Sequence, residues 1–212
     1  MIAPFTLNLP QGLLVVEPIA PLAELEAEAT SAELLSVEGI TATSRRAERL
    51  AWRRALRRSE GAECEVSYSE QGAPQISNSR FSHISVSHCA DCVAVLLAES
   101  QCGVDVERVE RNFERVASRY ISPKERELSP DGRTAAAIWC AKEALYKMQG
   151  RAGVDFLRDM EILAIDFEQG VMSAMLSGVG RVEMGVLQPD AEHILVFTKY
   201  RCGGEWKFCH LV

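Results

Sequence analysis

Apolar and polar positions follow a helical period in three segments of the chain and a strand period in most of the rest. Helical spacing marks residues 21–37, 45–58 and 132–150, and the last of these ends at a glycine. The other apolar runs are short and separated by polar or glycine-containing turns: HISVSH, CVAVLLA, CGVDVE, MEILAIDFE, VMSAMLS, RVEMGVL and HILVFTKY. This grouping of helices and strands predicts an α+β fold.

The arginine-rich segment RRAERLAWRRALRR, residues 45–58, gives the strongest helix prediction. Its apolar residues recur on one face, which predicts that this face is buried: Ala47, Ala51, Trp52, Ala55 and Leu56. A weaker helical pattern begins near residue 112, and Ser122, Pro123 and Glu125 then supply the residues of a helix start. Residues 69–75 contain a glycine and a proline and are predicted to form a loop.

Length and composition limit the class of protein. The chain has 212 residues, 47% hydrophobic and 25% charged, which suits one sizeable domain or two smaller ones that share a core. No apolar run approaches the roughly 20 residues that cross a bilayer. The first residues lack the basic start of a secretory signal. We therefore expect a cytoplasmic protein with no membrane partner. We also expect the chain to pass from one structural unit to a second near residue 100.

The charge is acidic overall but unevenly distributed. A net charge of −7 disfavours general nucleic-acid binding, which needs a basic field. The arginines of residues 45–58 nevertheless form a basic cluster in this acidic chain. Such a cluster indicates a local anionic ligand or partner.

The cysteines allow two interpretations. There are seven, an odd number without the spacing of a disulfide framework, so reduced and partly buried thiols are the simpler interpretation. The run HCADC, residues 88–92, contains a CxxC pair that is also found in metal and redox sites. Cys202, Cys209 and His210 would be further ligands only if the fold brought them near this pair.

Asp105 and Glu107 stand out because they alternate with Val104 and Val106 in a predicted strand. Side chains alternate along a strand, so the two carboxylates point the same way. They are either solvated acids at a strand end or a pair that shares a divalent cation. Oxygen ligands of this kind suit Mg²⁺ or Mn²⁺ better than zinc.

Two other polar groups have both a structural and a functional interpretation. Glu143 and Lys147 are four residues apart on a predicted helix, so they form either a surface ion pair or part of a site. Ser87 and His88 lie at the end of a predicted strand. They either complete a polar turn or offer a hydroxyl and an imidazole to a phosphate.

Taken in order along the chain, these segments resemble the 4′-phosphopantetheinyl transferases, in particular the Sfp-type branch with two subdomains. Three segments carry the resemblance: ISVSH at 84–88, GVDVE at 103–107 and WCAKEALYK at 139–147. The arginine-rich helix near 45–54 and the segment YSEQGAP at 68–74 also match, so that the resemblance covers roughly residues 40–150.

The resemblance implies a fold and an activity. The fold would be a pseudo-dimer of two similar α+β subdomains, 1–100 and 101–212, with the active site in the cleft between them. The enzyme would transfer the 4′-phosphopantetheine arm of coenzyme A to a serine of an acyl or peptidyl carrier protein and release 3′,5′-ADP. It would require Mg²⁺, with Mn²⁺ as a substitute, and would act as a monomer because one chain supplies both sides of the cleft.

The resemblance also assigns site residues. The metal ligands would be Asp105, Glu107 and Glu143. Glu143 would be the base for the carrier serine and Lys147 would stabilise the leaving group. Glu125 corresponds to a family glutamate near the metal and pantetheine.

The coenzyme A site would combine Lys147 with residues of the first half. These are Arg45 at the 3′-phosphate (with Arg46 or Arg49 as substitutes), Gly72, Ala73 and Pro74 beside the adenine, and Ser87 and His88 at the phosphates. The family loop usually reads Gly-Lys-Pro, so Ala73 replaces a lysine that contacts coenzyme A.

Two rival functions follow from the same residues. The altered loop is compatible with a non-catalytic homologue that binds coenzyme A or carrier proteins, although the metal acids are all present. The cysteine and histidine residues are compatible with a metal-binding module. The sequence does not identify the carrier protein.

Overall fold

The computed structural model describes residues 2–10, 12–128, 132–150 and 153–199, and the backbone of two further short strands. Its four α-helices are α1 (Leu22–Glu28), α2 (Ser31–Ser36), α3 (Thr43–Glu60) and α4 (Gly132–Gln149). Two 3₁₀ helices lie at Glu114–Arg119 and Glu125–Glu127. Among the described helices, none combines the length and the apolarity that crossing a membrane requires.

The strands form two main antiparallel sheets and two small hairpins. The strands of the first half are β1 (Phe5–Leu9), β2 (Gly12–Pro18), β3 (Glu65–Tyr68), β4 (Pro74–Ser77), β5 (His83–His88) and β6 (Cys92–Ala98). Those of the second half are β7 (Val104–Arg108), β8 (Met160–Asp166), β9 (Val171–Leu176), β10 (Gly180–Leu187), β11 (His193–Thr198), β12 (Arg201–Cys202) and β13 (Glu205–Trp206). The sheet orders are β1-β2-β6-β5 and β7-β11-β10-β9-β8, while β3 pairs with β4 and β12 with β13. The α+β fold predicted from the sequence is confirmed.

Helix α3 packs its apolar face on the first sheet, as its pattern predicts. All five residues of the predicted stripe are buried, and they contact the inward side chains of β2 and β6. Strands β5 and β6 form a hairpin that turns between His88 and Cys92, at the polar residues that separate the two predicted strands. Residues 69–73 are the turn of the β3–β4 hairpin, which the sequence analysis described only as a loop.

Helix α4 packs on the second sheet, and Gly150 follows it with a positive φ of 62°. The helix predicted to begin at Ser122 is only a single 3₁₀ turn. Ser122 and Glu125 do make the reciprocal bonds of a capping box, with Ser122 N donating to Glu125 Oε2 at 2.7 Å and Glu125 N donating to Ser122 Oγ at 3.3 Å. The predicted capping residues therefore do form a helix start, but the helix ends after one 3₁₀ turn, at Glu127.

The two sheets meet where β5 lies beside β7. Ser85 Oγ accepts a hydrogen bond from Val104 N at 3.1 Å, and Ser87 Oγ accepts one from Val106 N at 3.3 Å. Buried apolar side chains from β2, β6, β7 and β11 fill the space behind this contact. The serine hydroxyls thus satisfy backbone groups of β7 that no neighbouring strand pairs on that edge.

The predicted basic cluster is largely neutralised within the first half. Four of its arginines form ion pairs with glutamates of residues 17–33: Arg46 with Glu26, Arg54 with Glu17, Glu24 and Glu28, Arg57 with Glu33, and Arg58 with Glu17 and Glu28. These four arginines therefore have anionic partners within the protein, and the predicted anionic ligand stays a prediction.

Gly103 allows α4 to approach β7, which gives a first prediction. A Cβ atom at residue 103 would lie 1.8 Å from the carbonyl oxygen of Ala144 on the helix backbone. Because neither backbone can yield to a side chain at that distance, Gly103→Ala should lower the free energy of unfolding by about 3 kcal/mol. Gly132→Ala is the matched control, since its Cβ would meet nothing within 4 Å. Equal urea midpoints for the two variants would contradict this account.

Candidate active site

Asp105 is the buried centre of the candidate site. It lies on β7 and is 5% exposed. Its Oδ1 accepts hydrogen bonds from Ser87 Oγ at 2.6 Å and from Lys147 Nζ at 2.8 Å. Lys147 also donates to the carbonyl oxygen of Val104 at 2.9 Å. Asp105 therefore joins β5, β7 and α4 at a single carboxylate.

Glu107 lies two residues further along β7 and is partly buried. Burial and the neighbouring Asp105 raise its pKa to about 7, against the opposing effects of Arg111, Trp139 and Lys147. Arg111, four residues on, forms an ion pair with Glu107 and lies over the Trp139 ring. Burial first, and then the charge of Asp105, therefore disfavour the ionised form of Glu107 at the end of β7.

Glu143 brings a third carboxylate to the same place from α4. Burial raises its pKa, the charge of Asp105 raises it further, and Lys147 and Arg111 lower it. Glu143 and Lys147 therefore face β7 together, one helical turn apart. Trp139, one turn before Glu143, is held among Phe113, Tyr120 and Phe156 and fixes the helix against the second half.

The residues present fit a divalent cation by charge and by an unsatisfied ligand atom. Oδ2 of Asp105 is buried and accepts no hydrogen bond from a nitrogen or oxygen of the described residues, although the weakly donating Cys140 thiol neighbours this carboxylate. The charge of Asp105 acts on both Glu107 and Glu143, but the three carboxylates are not among the groups of described residues whose ligand atoms all lie within 4.8 Å of one another. Lys147 and Arg111 instead hold Asp105 and Glu107. A shared cation would thus require these acids to exchange protein partners for metal.

A cavity of about 470 Å³ lies on the first-half side and brings together Arg45 and His88. Arg45 is exposed, and its side chain makes no hydrogen bond or ion pair with any residue that the structure describes. Of its two sequence alternatives, Arg46 pairs with Glu26, and Arg49, which also lines the cavity, donates to the Ser36 carbonyl at 3.1 Å. Arg45 is therefore the arginine of this cavity whose side chain has no partner among the described residues.

A second cavity, of about 410 Å³, joins the two halves. It is lined by residues 71–74 and 84–86 together with Tyr146, Lys147 and Gly150. The predicted loop residues Gly72, Ala73 and Pro74 therefore share one cavity with Lys147. No basic side chain stands at residue 73, and Lys147 is the one lysine or arginine among the described residues that line this cavity.

Ser87 and Glu125 occupy positions that differ from the sequence prediction. Ser87 is 5% exposed and donates to Asp105, so its hydroxyl is directed at the acid rather than at the open cavity. Glu125 is fully buried, with Lys142 Nζ at 2.8 Å from Oε1 and the N–H of Ile162 at 2.8 Å from the same atom. Because both Glu125 oxygens have internal partners, we leave Glu125 out of the catalytic group.

Sequence reasoning missed Arg111 and the role of Lys142. Arg111 stands beyond the strand, and its ion pair with Glu107 depends on how the chain turns after β7, which the helical rule of spacing by four does not predict. Lys142, within the motif WCAKEALYK, is completely buried and donates to Glu125 and to the carbonyl oxygens of Tyr120, Phe156 and Met160. Its direction could not be read from the motif, because it depends on how α4 lies against the chain at residues 120–125.

Comparison with protein-family models gives a match over part of the chain. Residues 101–180 match the family model described as the 4′-phosphopantetheinyl transferase superfamily. This range contains β7 and α4, and so Asp105, Glu107, Glu143 and Lys147. No curated protein matches the chain.

Proposed function

The chain belongs to the 4′-phosphopantetheinyl transferase superfamily, whose model residues 101–180 match, and we propose that it is a holo-carrier-protein synthase of the Sfp type. In this proposal it transfers the 4′-phosphopantetheine arm of coenzyme A to a serine of an acyl or peptidyl carrier protein and releases 3′,5′-ADP. The convergence of Asp105, Glu107, Glu143 and Lys147 beside the 410 Å³ cavity carries the proposal.

Asp105, Glu107 and Glu143 are the proposed ligands of Mg²⁺, for which Mn²⁺ would substitute. The donor set consists of carboxylate oxygens, which suits these hard cations. When bound, the cation would offset the crowded negative charge and polarise the pyrophosphate oxygens of coenzyme A. Ser87 supports the site by holding Asp105 in place through its 2.6 Å hydrogen bond.

Lys147 and Glu143 are the proposed residues of the transfer step. The serine oxygen of the carrier attacks the β-phosphorus and the bond to the leaving 3′,5′-ADP breaks, so negative charge grows on the phosphate oxygens. Lys147 lines the cavity with a partly exposed ammonium group and would stabilise that charge. Glu143 lies one turn away on the same face and would accept the serine proton.

Coenzyme A would extend from this step toward the first half. We propose the 3′-phosphate at Arg45 and His88, and the adenine along residues 71–74. His88 also lies 3.6 Å from Glu48, so its ring already has an anionic neighbour. The absence of a lysine at residue 73 leaves Arg45 with a larger share of the binding.

The same arrangement supports a division into two subdomains at about residue 100. Each main sheet is built from one contiguous half of the chain, and each carries one 18-residue helix, α3 or α4. We propose that these are the two similar subdomains of a monomer. One chain then supplies both Arg45 and the carboxylates, and no second copy is needed to complete the site.

Intact mass spectrometry of a carrier protein tests the proposed function. The protein is incubated with coenzyme A, Mg²⁺ and a panel of apo carriers from fatty-acid, polyketide and peptide synthesis. At least one carrier should gain the mass of one phosphopantetheine group, and omission of the cation should prevent the gain. Failure of every carrier, combined with coenzyme A binding that is insensitive to Mg²⁺ in calorimetry, would favour the non-catalytic binding protein instead.

Removal of Arg45 tests the proposed 3′-phosphate contact. Arg45→Ala should raise KM for coenzyme A about ten- to a hundredfold with little change in kcat, because a charge-assisted hydrogen bond contributes roughly 1.5–3 kcal/mol. With 3′-dephospho-coenzyme A the wild type and the variant should have the same KM. Arg58→Ala, which removes an arginine already paired with Glu17 and Glu28, is the control. A KM effect that persists without the 3′-phosphate would refute the contact.

A further inference from the structure

The fold gathers four metal-ligating side chains at a place that the proposed transfer reaction does not use. Cys89, Asp91, Cys92 and His193 each offer one ligand atom, and all four atoms lie within 4.8 Å of one another. Among the described residues this is the one group of three or more such side chains with that spacing. The cysteines and Asp91 lie at the turn between β5 and β6, and His193 is the first residue of β11.

We propose that this cluster binds a structural Zn²⁺ through the two cysteine thiolates, His193 Nε2 and one oxygen of Asp91. Two sulfurs, one imidazole and one carboxylate form the four-ligand set of a closed zinc site. The thiolates exclude Mg²⁺ as the natural occupant, since it prefers oxygen. The site is therefore distinct in chemistry from the three carboxylates around Asp105.

The distances are close to those of a tetrahedral zinc site. Cys89 Sγ lies 3.3 Å from Cys92 Sγ, and Asp91 Oδ1 lies 3.3 Å from Cys89 Sγ and 2.9 Å from His193 Nε2. Zn–S bonds of about 2.3 Å at tetrahedral angles would place two sulfurs roughly 3.8 Å apart. Binding thus requires the ligand atoms to separate by a few tenths of an ångström, with no movement of a strand.

The groups behind the ligands favour a metal as well. Asp190 Oδ1 lies 2.8 Å from His193 Nδ1 and also accepts the backbone N–H of His193 at 3.0 Å. Because this carboxylate accepts a hydrogen bond from Nδ1–H, Nε2 is left as the ligand atom on the side of the cluster. Nε2 lies 2.9 Å from Asp91 Oδ1, so both atoms face the centre of the proposed site.

A zinc ion would also offset most of the negative charge of its ligands. Two thiolates and Asp91 carry three negative charges, Zn²⁺ would offset two of them, and Arg108 lies 2.9 Å from the other oxygen of Asp91. Cys92 and His193 are completely buried, so uncompensated charge there would be costly. The bound zinc ion would therefore crosslink the β5–β6 turn of the first sheet to β11 of the second.

Zinc analysis of the full-length protein tests this proposal. Protein purified in reducing, chelator-free buffer with added zinc should hold one zinc per chain by plasma mass spectrometry. Cys89→Ser and Cys92→Ser should each reduce zinc affinity by more than about a hundredfold, and Asp190→Asn by about ten- to a hundredfold. Cys64→Ser, at a half-buried thiol outside the cluster, is the control and should keep its zinc.

Cobalt substitution adds a readout that does not depend on the stability of any variant. Co²⁺ added to the metal-free wild type should give thiolate-to-metal charge-transfer absorption and the intense visible bands of a tetrahedral site. A pale spectrum without thiolate bands, absence of zinc, or zinc retained by both Cys89→Ser and Cys92→Ser would overturn the proposal. A Cys89–Cys92 disulfide in freshly isolated, thiol-blocked protein would overturn it in favour of a redox pair.

Discussion

Lys142→Met should lower the free energy of unfolding by about 3–5 kcal/mol, the largest stability loss that we expect of any single variant discussed for this chain. The Lys142 ammonium is fully buried and pairs with Glu125 at 2.8 Å. It also donates to the carbonyl oxygens of Tyr120, Phe156 and Met160. Methionine fills the space but leaves a buried carboxylate and three carbonyl groups without their shared donor. Urea unfolding followed by circular dichroism measures the loss.

A double-mutant cycle separates the contribution of the Lys142–Glu125 ion pair from that of the hydrogen bonds between Lys142 and the backbone carbonyl groups. Glu125→Gln keeps the shape and one acceptor, so the double variant should recover part of the stability that Lys142→Met loses. Lys124→Met is the control at a lysine on the surface, where the pair with Glu161 is worth little. If Lys142→Met unfolded with a free energy within about 1 kcal/mol of that of the wild type, the buried contacts of this lysine would contribute little to stability.

Asp105→Asn should reduce the rate of carrier modification at least about a hundredfold, the largest loss of activity that we expect. Asparagine keeps the shape of the side chain and still accepts hydrogen bonds from Ser87 and Lys147, while it removes the charge between β7 and α4. The fold should therefore persist, with unchanged circular dichroism. Initial rates at saturating coenzyme A and Mg²⁺ provide the measurement.

The control for Asp105→Asn is an acid of the same region that is exposed. Glu99→Gln changes a carboxylate in the connection from β6 to β7 and should retain the wild-type rate. If Asp105→Asn also retained that rate, Asp105 would be only a buried polar residue at the junction of two sheets. Equal losses in both variants would point to a nonspecific effect of charge.

The elements of this fold were largely predictable because they depend on local pattern. The stripe of α3, the hairpin of β5 and β6, and the stop of α4 at Gly150 follow from periodicity and turn chemistry. The sequence did not show that Gly103 is needed for contact with Ala144, because that contact arises only when α4 lies across β7. Helix pattern likewise did not show that the capping box at Ser122 is followed by a single 3₁₀ turn.

The sequence predicted which residues form the candidate site, but it did not predict most of the side chains with which they form ion pairs and hydrogen bonds. Motif spacing named Asp105, Glu107, Glu143 and Lys147, and their assigned roles remain predictions. Ion pairs across elements escaped the sequence analysis. The glutamates of α1 and α2 meet the arginines of α3 only through tertiary packing.

The cluster of Cys89, Asp91, Cys92 and His193 could not be predicted either, because His193 is far from the other three residues in the sequence and meets them only through tertiary packing. His193 lies 102 residues from Asp91, and no local pattern connects them. The CxxC pair was visible, but the side chains of the other candidate ligands, Cys202, Cys209 and His210, lie outside the part of the chain that the structure describes. Only the pairing of β7 with β11 brings His193 to the β5–β6 turn.

Manganese binding tests the central claim most directly, because it needs no knowledge of the carrier protein. The claim is that Asp105, Glu107 and Glu143 together hold one divalent cation beside coenzyme A. Mn²⁺ is a hard cation that favours these oxygens over the thiolates of Cys89 and Cys92. Electron paramagnetic resonance titration should show one tightly bound Mn²⁺ in the wild type with coenzyme A present and none in the Asp105→Asn/Glu143→Gln variant. Unchanged Mn²⁺ binding in that double variant would contradict the account.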